Sequence, residues 1–266
     1  MRTPFVIAAL AAGGAALAAS AARAPSLDLR AHRIVDLTHA FDQRTVYWPT
    51  APSRFELKTL HRGPTAGGYF YSAYAFCTPE HGGTHLDAPV HFAEGRPPAD
   101  QVPLERLIGS AVVIDVTRQA AADPDYRLTP ADLAAWESRH GAVRQGAIVL
   151  LRTGWSERWP DAKRYLGDDT PGDASRLHFP AYGADAARVL VARGAAALGV
   201  DTASLDHGPS SDFLVHRVAN EAGVPGLENL ANLAGLPETG ATVIALPMKI
   251  AGGSGAPLRA VALVPQ

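Results

Sequence analysis

The chain of 266 residues is poor in several things that would each have pointed to a function. Cys77 is its only cysteine, so there is no disulfide framework, no four-thiolate zinc site and no CxxC redox pair. Basic residues number 24 against 26 acidic, a formal charge of −2, and no run of five or six like charges occurs. A chain with no basic excess has little to offer a phosphate backbone, which excludes nucleic acid as an expected partner. There is no GxSxG elbow, no GxGxxG turn and no Walker sequence, which argues against a serine hydrolase and against a nucleotide site. Neither a low-complexity linker nor a repeat divides the chain, so residues 25–266 are expected to form one domain. The one long hydrophobic run, Pro4 to Ala19, follows Arg2 and precedes the small residues Ala19 to Ala24. This is the grammar of a signal peptide over residues 1–24, cleaved between about Ala21 and Ala24, with the mature chain exported to the periplasm or secreted. An uncleaved anchor is the alternative, but the run is rich in Ala and Gly and poor in Leu, Ile and Phe.

What the chain does have is a series of short β-branched runs: Ile34 to Leu37, Ala111 to Val116, Ala147 to Leu151, Ala197 to Val200, Thr242 to Leu246 and Ala260 to Val264. These read as buried strands, and the stretch around Tyr69, Tyr71 and Tyr74 as a further strand whose tyrosines serve packing. Helices are expected at Pro130 to His140, with Thr129 as cap and Pro130 in the first position, and at Ala184 to Arg193, stopped by Gly194. Mixed order with strands in excess gives an α/β or α+β domain built on a sheet.

Ten histidines spread evenly would put fewer than one in any short window, yet His81, His85 and His91 fall within eleven residues around Asp87. Imidazole and carboxylate donors together suit zinc, manganese or iron. His81 and His85 have helical spacing, but Gly82, Gly83 and Pro89 disfavour a helix. In an extended stretch His85 and Asp87 share a face with Cα atoms ~6.6 Å apart, and the glycines permit a turn that brings His81 back to the same point. His91 has the right parity but lies ~13 Å beyond Asp87 if the chain stays extended, too far for the same ion unless it bends at Pro89. His91 is therefore read as an acid/base.

The segment His81 to Phe92 matches HxGTHxDxPxHF and resembles the signature of the metal-dependent cyclase, or kynurenine formamidase, family. Ile34–Thr38, Tyr47-Trp48-Pro49, Gly199–Asp206, Glu228-Asn229-Leu230 and Lys249–Gly255 are similar to that family's other blocks. The resemblance implies a β-rich swivelling β/β/α domain. It implies two divalent ions, zinc or alternatively manganese, held by His81, His85, Asp87, His216 and Glu228, with Asp87 and Glu228 reaching both. It also implies His91 as proton carrier and Trp48 as the aromatic wall for a small-molecule amide. The expected reaction is hydrolysis of a carbon–nitrogen bond by water whose pKa a divalent ion lowers, with an aryl formamide as first substrate and an isatin-like cyclic amide as second. Export sets the chain apart from cytoplasmic tryptophan breakdown. A non-catalytic metal- or ligand-binding protein is the alternative from another class, and a homo-oligomer is expected.

Several residues carry blander expectations. Asp206 and His207, beside Gly208 and Pro209, read as a turn in preference to a contact behind the metal site. Gly252 to Gly255 reads as a loop beside the site, and Cys77 as a small buried hydrophobe next to Phe76.

Overall fold

The computed structural model describes residues 28–266, so the expected signal segment lies outside the described residues. Strands β1 (His32–Asp36), β2 (Glu56–Pro64), β3 (Phe70–Cys77), β4 (His85–Asp87), β5 (Ile108–Asp115), β6 (Arg127–Leu128), β7 (Ile148–Arg152), β8 (Ala181–Tyr182), β9 (Ala197–Val200), β10 (Gly226–Glu228), β11 (Thr239–Pro247) and β12 (Gly255–Pro265) alternate with helices. The helices are α1 (Thr117–Ala122), α2 (Pro130–His140), α3 (Ala162–Leu166), α4 (Ala184–Ala192) and α5 (Leu214–Glu221). The expected strands and both expected helices are present, with the strand ends shifted by a few residues. Thr129 caps α2 through a reciprocal pair with Asp132.

The apolar runs β5, β7 and β9 are parallel neighbours, joined by crossovers that carry helices. Alternate residues go to opposite faces. Ala111 and Val113, Ile148 and Leu150, and Ala197 join Leu86, Leu227, Val243 and Ala260 in one interior cluster. Val112, Ile114, Val149, Leu151, Leu198 and Val200 pack outward against Leu133 and Trp136 of α2 and Leu190 of α4. Burial on both faces is why these segments are apolar at every position instead of every second one.

The sheet closes because β12 is long. Its first residues pair with β4 (Gly255 opposite Asp87), its middle with β11 and its end with β1. The ring β12-β11-β5-β7-β9-β10-β4 thereby returns to β12. Such a small barrel has little interior volume, and small side chains fill part of it: Ala241, Ala245, Ala256, Ala260 and Ala262. Gly199 faces the same interior, where a Cβ would stand 2.6 Å from Leu150 Cδ2. The mixed architecture with a closed sheet agrees with the fold that the resemblance implied.

Two expectations fail at the β2–β3 hairpin. Tyr69, Tyr71 and Tyr74 pack against no core: they are 64%, 50% and 42% exposed, and Cys77 is exposed as well. The hairpin is a separate two-stranded sheet, so its alternation of aromatic and small residues is not matched by a covering layer among the described residues. No helix among the described residues is long and apolar enough to cross a membrane.

Candidate metal centre

Strand pairing assembles the site. In the antiparallel β4–β10 ladder Glu228 stands opposite His85 and Gly226 opposite Asp87, so residues 143 and 139 positions apart in number meet by register. Before β4 the chain turns at Gly82 (φ 144°) and Gly83 (φ 59°). A Cβ at Gly82 would fall 2.1 Å from the Tyr47 ring and one at Gly83 2.6 Å from the Phe41 ring, so only glycine lets the loop pass between the two aromatics. The turn swings His81 back over Asp87, as the spacing predicted. After β4 the chain bends at Pro89 into a single 3-10 turn, Pro89–His91. That bend removes the distance expected for an extended chain: the His91 ring stacks on His81 with centroids 3.9 Å apart. His216 is supplied by α5.

Two groups of donors result, His81/His85/Asp87 and Asp87/His216/Glu228, each with its ligand atoms within 4.8 Å of one another. Asp87 Oδ1 lies 2.6 Å from His81 Nδ1 and 3.1 Å from His85 Nε2, while Oδ2 lies 3.1 Å from His216 Nε2. Glu228 reaches both groups, 3.5 Å from His85 Nε2 and 3.1 Å from His216 Nε2. Both carboxylates therefore sit between the groups. His91 belongs to neither donor group.

The far side of each imidazole shows that the site fits a cation. His85 Nδ1 lies 2.9 Å from the Gly83 carbonyl, which can only accept, so Nδ1 carries the hydrogen. In the neutral ring Nε2 is then a lone pair, buried and without a hydrogen-bond partner, facing two carboxylates. His216 Nδ1 is held 2.7 Å from Asp206 Oδ2, which turns its Nε2 toward Asp87 and Glu228 in the same way. Asp206 also accepts from the Val215 and His216 backbone amides at 2.9 and 3.0 Å. Asp206 thus does more than form a turn: it orients a candidate ligand, a contact that depends on α5 returning to the 201–206 loop and has no sequence signature.

The electrostatics agree. Burial pushes Glu228 up, and the Asp87 charge adds to it. Asp87 resists its own burial and stays well below the usual carboxylate range because His85 and His81 face it. For His85, burial disfavours the charged form, yet Asp87 and Glu228 outweigh it and lift the imidazole to about 9. His216 is raised for similar reasons against burial. Two buried carboxylates attract positive charge this strongly because no Lys or Arg lines the site among the described residues, and protons on the imidazoles occupy the place that a divalent cation would take.

The donors open into a cavity of about 270 Å³ whose other walls are largely apolar, among them Val46, Trp48, Phe92, Ala203 and Phe213. Trp48 is edge-on to Phe179 at 6.2 Å and tilted against Phe213 at 6.3 Å, which fixes its plane. Phe213 has a left-handed backbone (φ 49°) and went unnoticed in the sequence, where an isolated Phe carries no signal. No Lys or Arg lines the cavity among the described residues. His207 faces a different depression, behind α5.

The family model described as "putative cyclase" matches residues 35–207. The chain belongs to this cyclase family. It is similar to the isatin hydrolase of Roseibium aggregatum, 38% identical over 196 residues, which are 70% of this chain and 73% of that one. The kynurenine formamidase of Salinibacter ruber is 28% identical over 86% of this chain and 96% of its own. Among solved structures, isatin hydrolase A from Labrenzia aggregata, bound to benzyl benzoate, superposes with a TM-score of 0.81 and 35% identity, over 89% of this chain and 95% of that one. The family thus named is the one that the His81–Phe92 signature resembled.

Proposed function

We propose that this chain is a metal-dependent hydrolase of carbon–nitrogen bonds, acting on an aryl formamide or, as a second reading, on an isatin-like cyclic amide. The observation that carries the metal is the orphaned, buried His85 Nε2 facing Asp87 and Glu228. His81, His85 and Asp87 would hold one divalent ion and Asp87, His216 and Glu228 a second. Imidazole mixed with carboxylate suits zinc first and manganese after it. When bound, such ions polarise a carbonyl and lower the pKa of water toward neutrality.

The chain's own residues do the rest. His91 is kept neutral at neutral pH, pushed down to about 4 by burial and then by the neighbouring imidazoles, which outweigh the pull of Asp87. A neutral imidazole takes the proton that the attacking water loses and returns it to the leaving nitrogen. Trp48, Phe92 and Phe213 give flat apolar surfaces that suit an aryl ring and exclude water from it. The second reading is favoured by the walls: a substrate with a free carboxylate, such as an amino-acid tail, finds no Lys or Arg in them among the described residues, whereas a neutral ring system needs none.

Purified protein reloaded with zinc or manganese and offered formanilide, isatin and a simple lactone tests this. Turnover of formanilide or isatin above the lactone supports it; turnover no higher than that of His85→Ala on all three overturns it. The reading extends to self-association, which the exposed apolar side chains of the β2–β3 hairpin favour, and to export with cleavage near Ala21 to Ala24. Sedimentation and intact-mass measurement of secreted protein test these two.

A further inference from the structure

Behind His81, away from the cavity, stands a pair of residues that the catalytic reading does not use. The Ser254 hydroxyl lies 2.9 Å from His81 Nε2 and 2.7 Å from Glu80 Oε2. The same Glu80 oxygen accepts from the Ser254 backbone amide at 3.0 Å and from that of Gly255 at 3.3 Å. A carboxylate oxygen can only accept, so the single Ser254 hydroxyl proton points to Glu80. The hydroxyl then offers His81 a lone pair, and His81 Nε2 must carry the hydrogen. Nδ1, 2.6 Å from Asp87 Oδ1, then faces the first donor group, where it shares a proton with that carboxylate until an ion takes the proton's place.

The loop is shaped for this contact. Gly255 stands opposite Asp87 in the β4–β12 ladder, which puts Ser254 beside the His81 ring. A Cβ at Gly255 would fall 2.6 Å from both His81 Cε1 and the Leu86 carbonyl oxygen, so no larger residue lets the two segments approach. The Ser254 and Gly253 carbonyls are tied down by the amides of Ala88 (2.9 Å) and Ala99 (2.8 Å). His81 needs such a clamp more than the other two histidines do: its side chain is 28% exposed, against 3% for His85 and 4% for His216.

We propose that Glu80 and Ser254 are positioning residues that hold His81 as its Nε2–H tautomer, aiming Nδ1 at the ion of the His81/His85/Asp87 group and, through the ring stack, setting the plane of His91. The inference rests on the metal reading, and the experiment separates the failure of one from the failure of the other.

The full-length protein and its Ser254→Ala, Ser254→Thr and Glu80→Gln variants are compared by competition for zinc against a chromophoric chelator and by 15N NMR of the histidine rings. Spectra are taken with zinc bound. The expected result is that Ser254→Ala weakens one of two ions about 10- to 100-fold, the usual effect of losing a partner behind a ligand, and leaves the other within a few-fold. Glu80→Gln moves in the same direction, and Ser254→Thr, which keeps the hydroxyl, restores most of the loss. In the zinc-loaded spectra His81 shows Nε2–H in the parent, with a resonance that Ser254→Ala displaces and Ser254→Thr restores. Unchanged affinity and unchanged His81 signals in Ser254→Ala overturn the proposal, as does a parallel loss of both ions together with melting temperature, which marks a merely structural role. A parent that binds no zinc overturns the metal reading and the inference with it, whereas two ions bound equally well by the parent and by Ser254→Ala overturn the inference alone.

Discussion

The two donor groups share Asp87 yet are built in opposite ways. His81, His85 and Asp87 come from seven consecutive residues, shaped by two glycines and one three-residue strand, with His81 partly open to solvent. Asp87, His216 and Glu228 are drawn from a strand, a helix and a second strand, all of them buried. The first group is held by local backbone; the second exists only when the barrel is closed and α5 is docked. A local site can hold its geometry while distant parts loosen, whereas an assembled site reports on the whole fold.

The largest effect is expected where the groups overlap. Asp87→Asn removes a charge from both, so metal content should fall toward zero and turnover to the solution background, measured by elemental analysis beside the amide assay. An Asp87→Asn protein that keeps two ions breaks the picture of a shared carboxylate. His91 comes next: it belongs to neither group, so His91→Ala should keep both ions and lose roughly a hundred- to ten-thousand-fold in turnover, the range for a general acid/base. Asp206 acts on the assembled group alone. Asp206→Asn should weaken one ion about 10- to 100-fold in a chelator competition and leave the His81/His85/Asp87 ion nearly untouched, the mirror image of Ser254→Ala.

The smallest effect concerns the frame behind both groups. The His39 amide donates to Thr84 Oγ1, which itself donates to the Asn229 carbonyl, next to Glu228. The His39 ring stacks on Trp159 at 4.2 Å with Nε2 buried and unpartnered, and burial, outweighing Asp36, brings it down to about 4. Its folded pKa is below that of a free imidazole, so the unfolded chain binds the proton more readily. The stability contributed is full above ~6.5 and is lost as pH falls toward about 4. His39→Phe keeps the stack without the titration, and denaturant melts at pH 7 and pH 4.5 should show it losing less stability on acidification, by on the order of 1–2 kcal/mol for a part-buried ring.

The same contrast sets what the sequence could disclose. His85 and Asp87 share a strand face and Gly82-Gly83 marks a turn, so the local group could be argued from spacing alone. His216 is a lone histidine and Glu228 a lone glutamate, and without the family resemblance nothing in the chain joins them, since β4 and β10 are three residues each and too short to show a pattern. The strands β5, β7 and β9 were legible because burial on both faces makes them apolar throughout. The hairpin was not: Tyr71 and Cys77 look like core residues, and their exposure depends on what lies beyond the strand, which residue type does not encode. Asp206 and Ser254 were hidden for a related reason, because each acts through a ring that only the closed barrel brings within reach.

The central claim is that one cluster of five side chains binds two divalent ions and that hydrolysis depends on them. Titrating zinc into chelator-stripped protein while recording both bound metal and aryl-amide turnover tests it most directly. The account predicts saturation near two ions per chain, with turnover rising from background as they bind. Full turnover in the stripped protein, or saturation with zinc and no gain in rate, would contradict it.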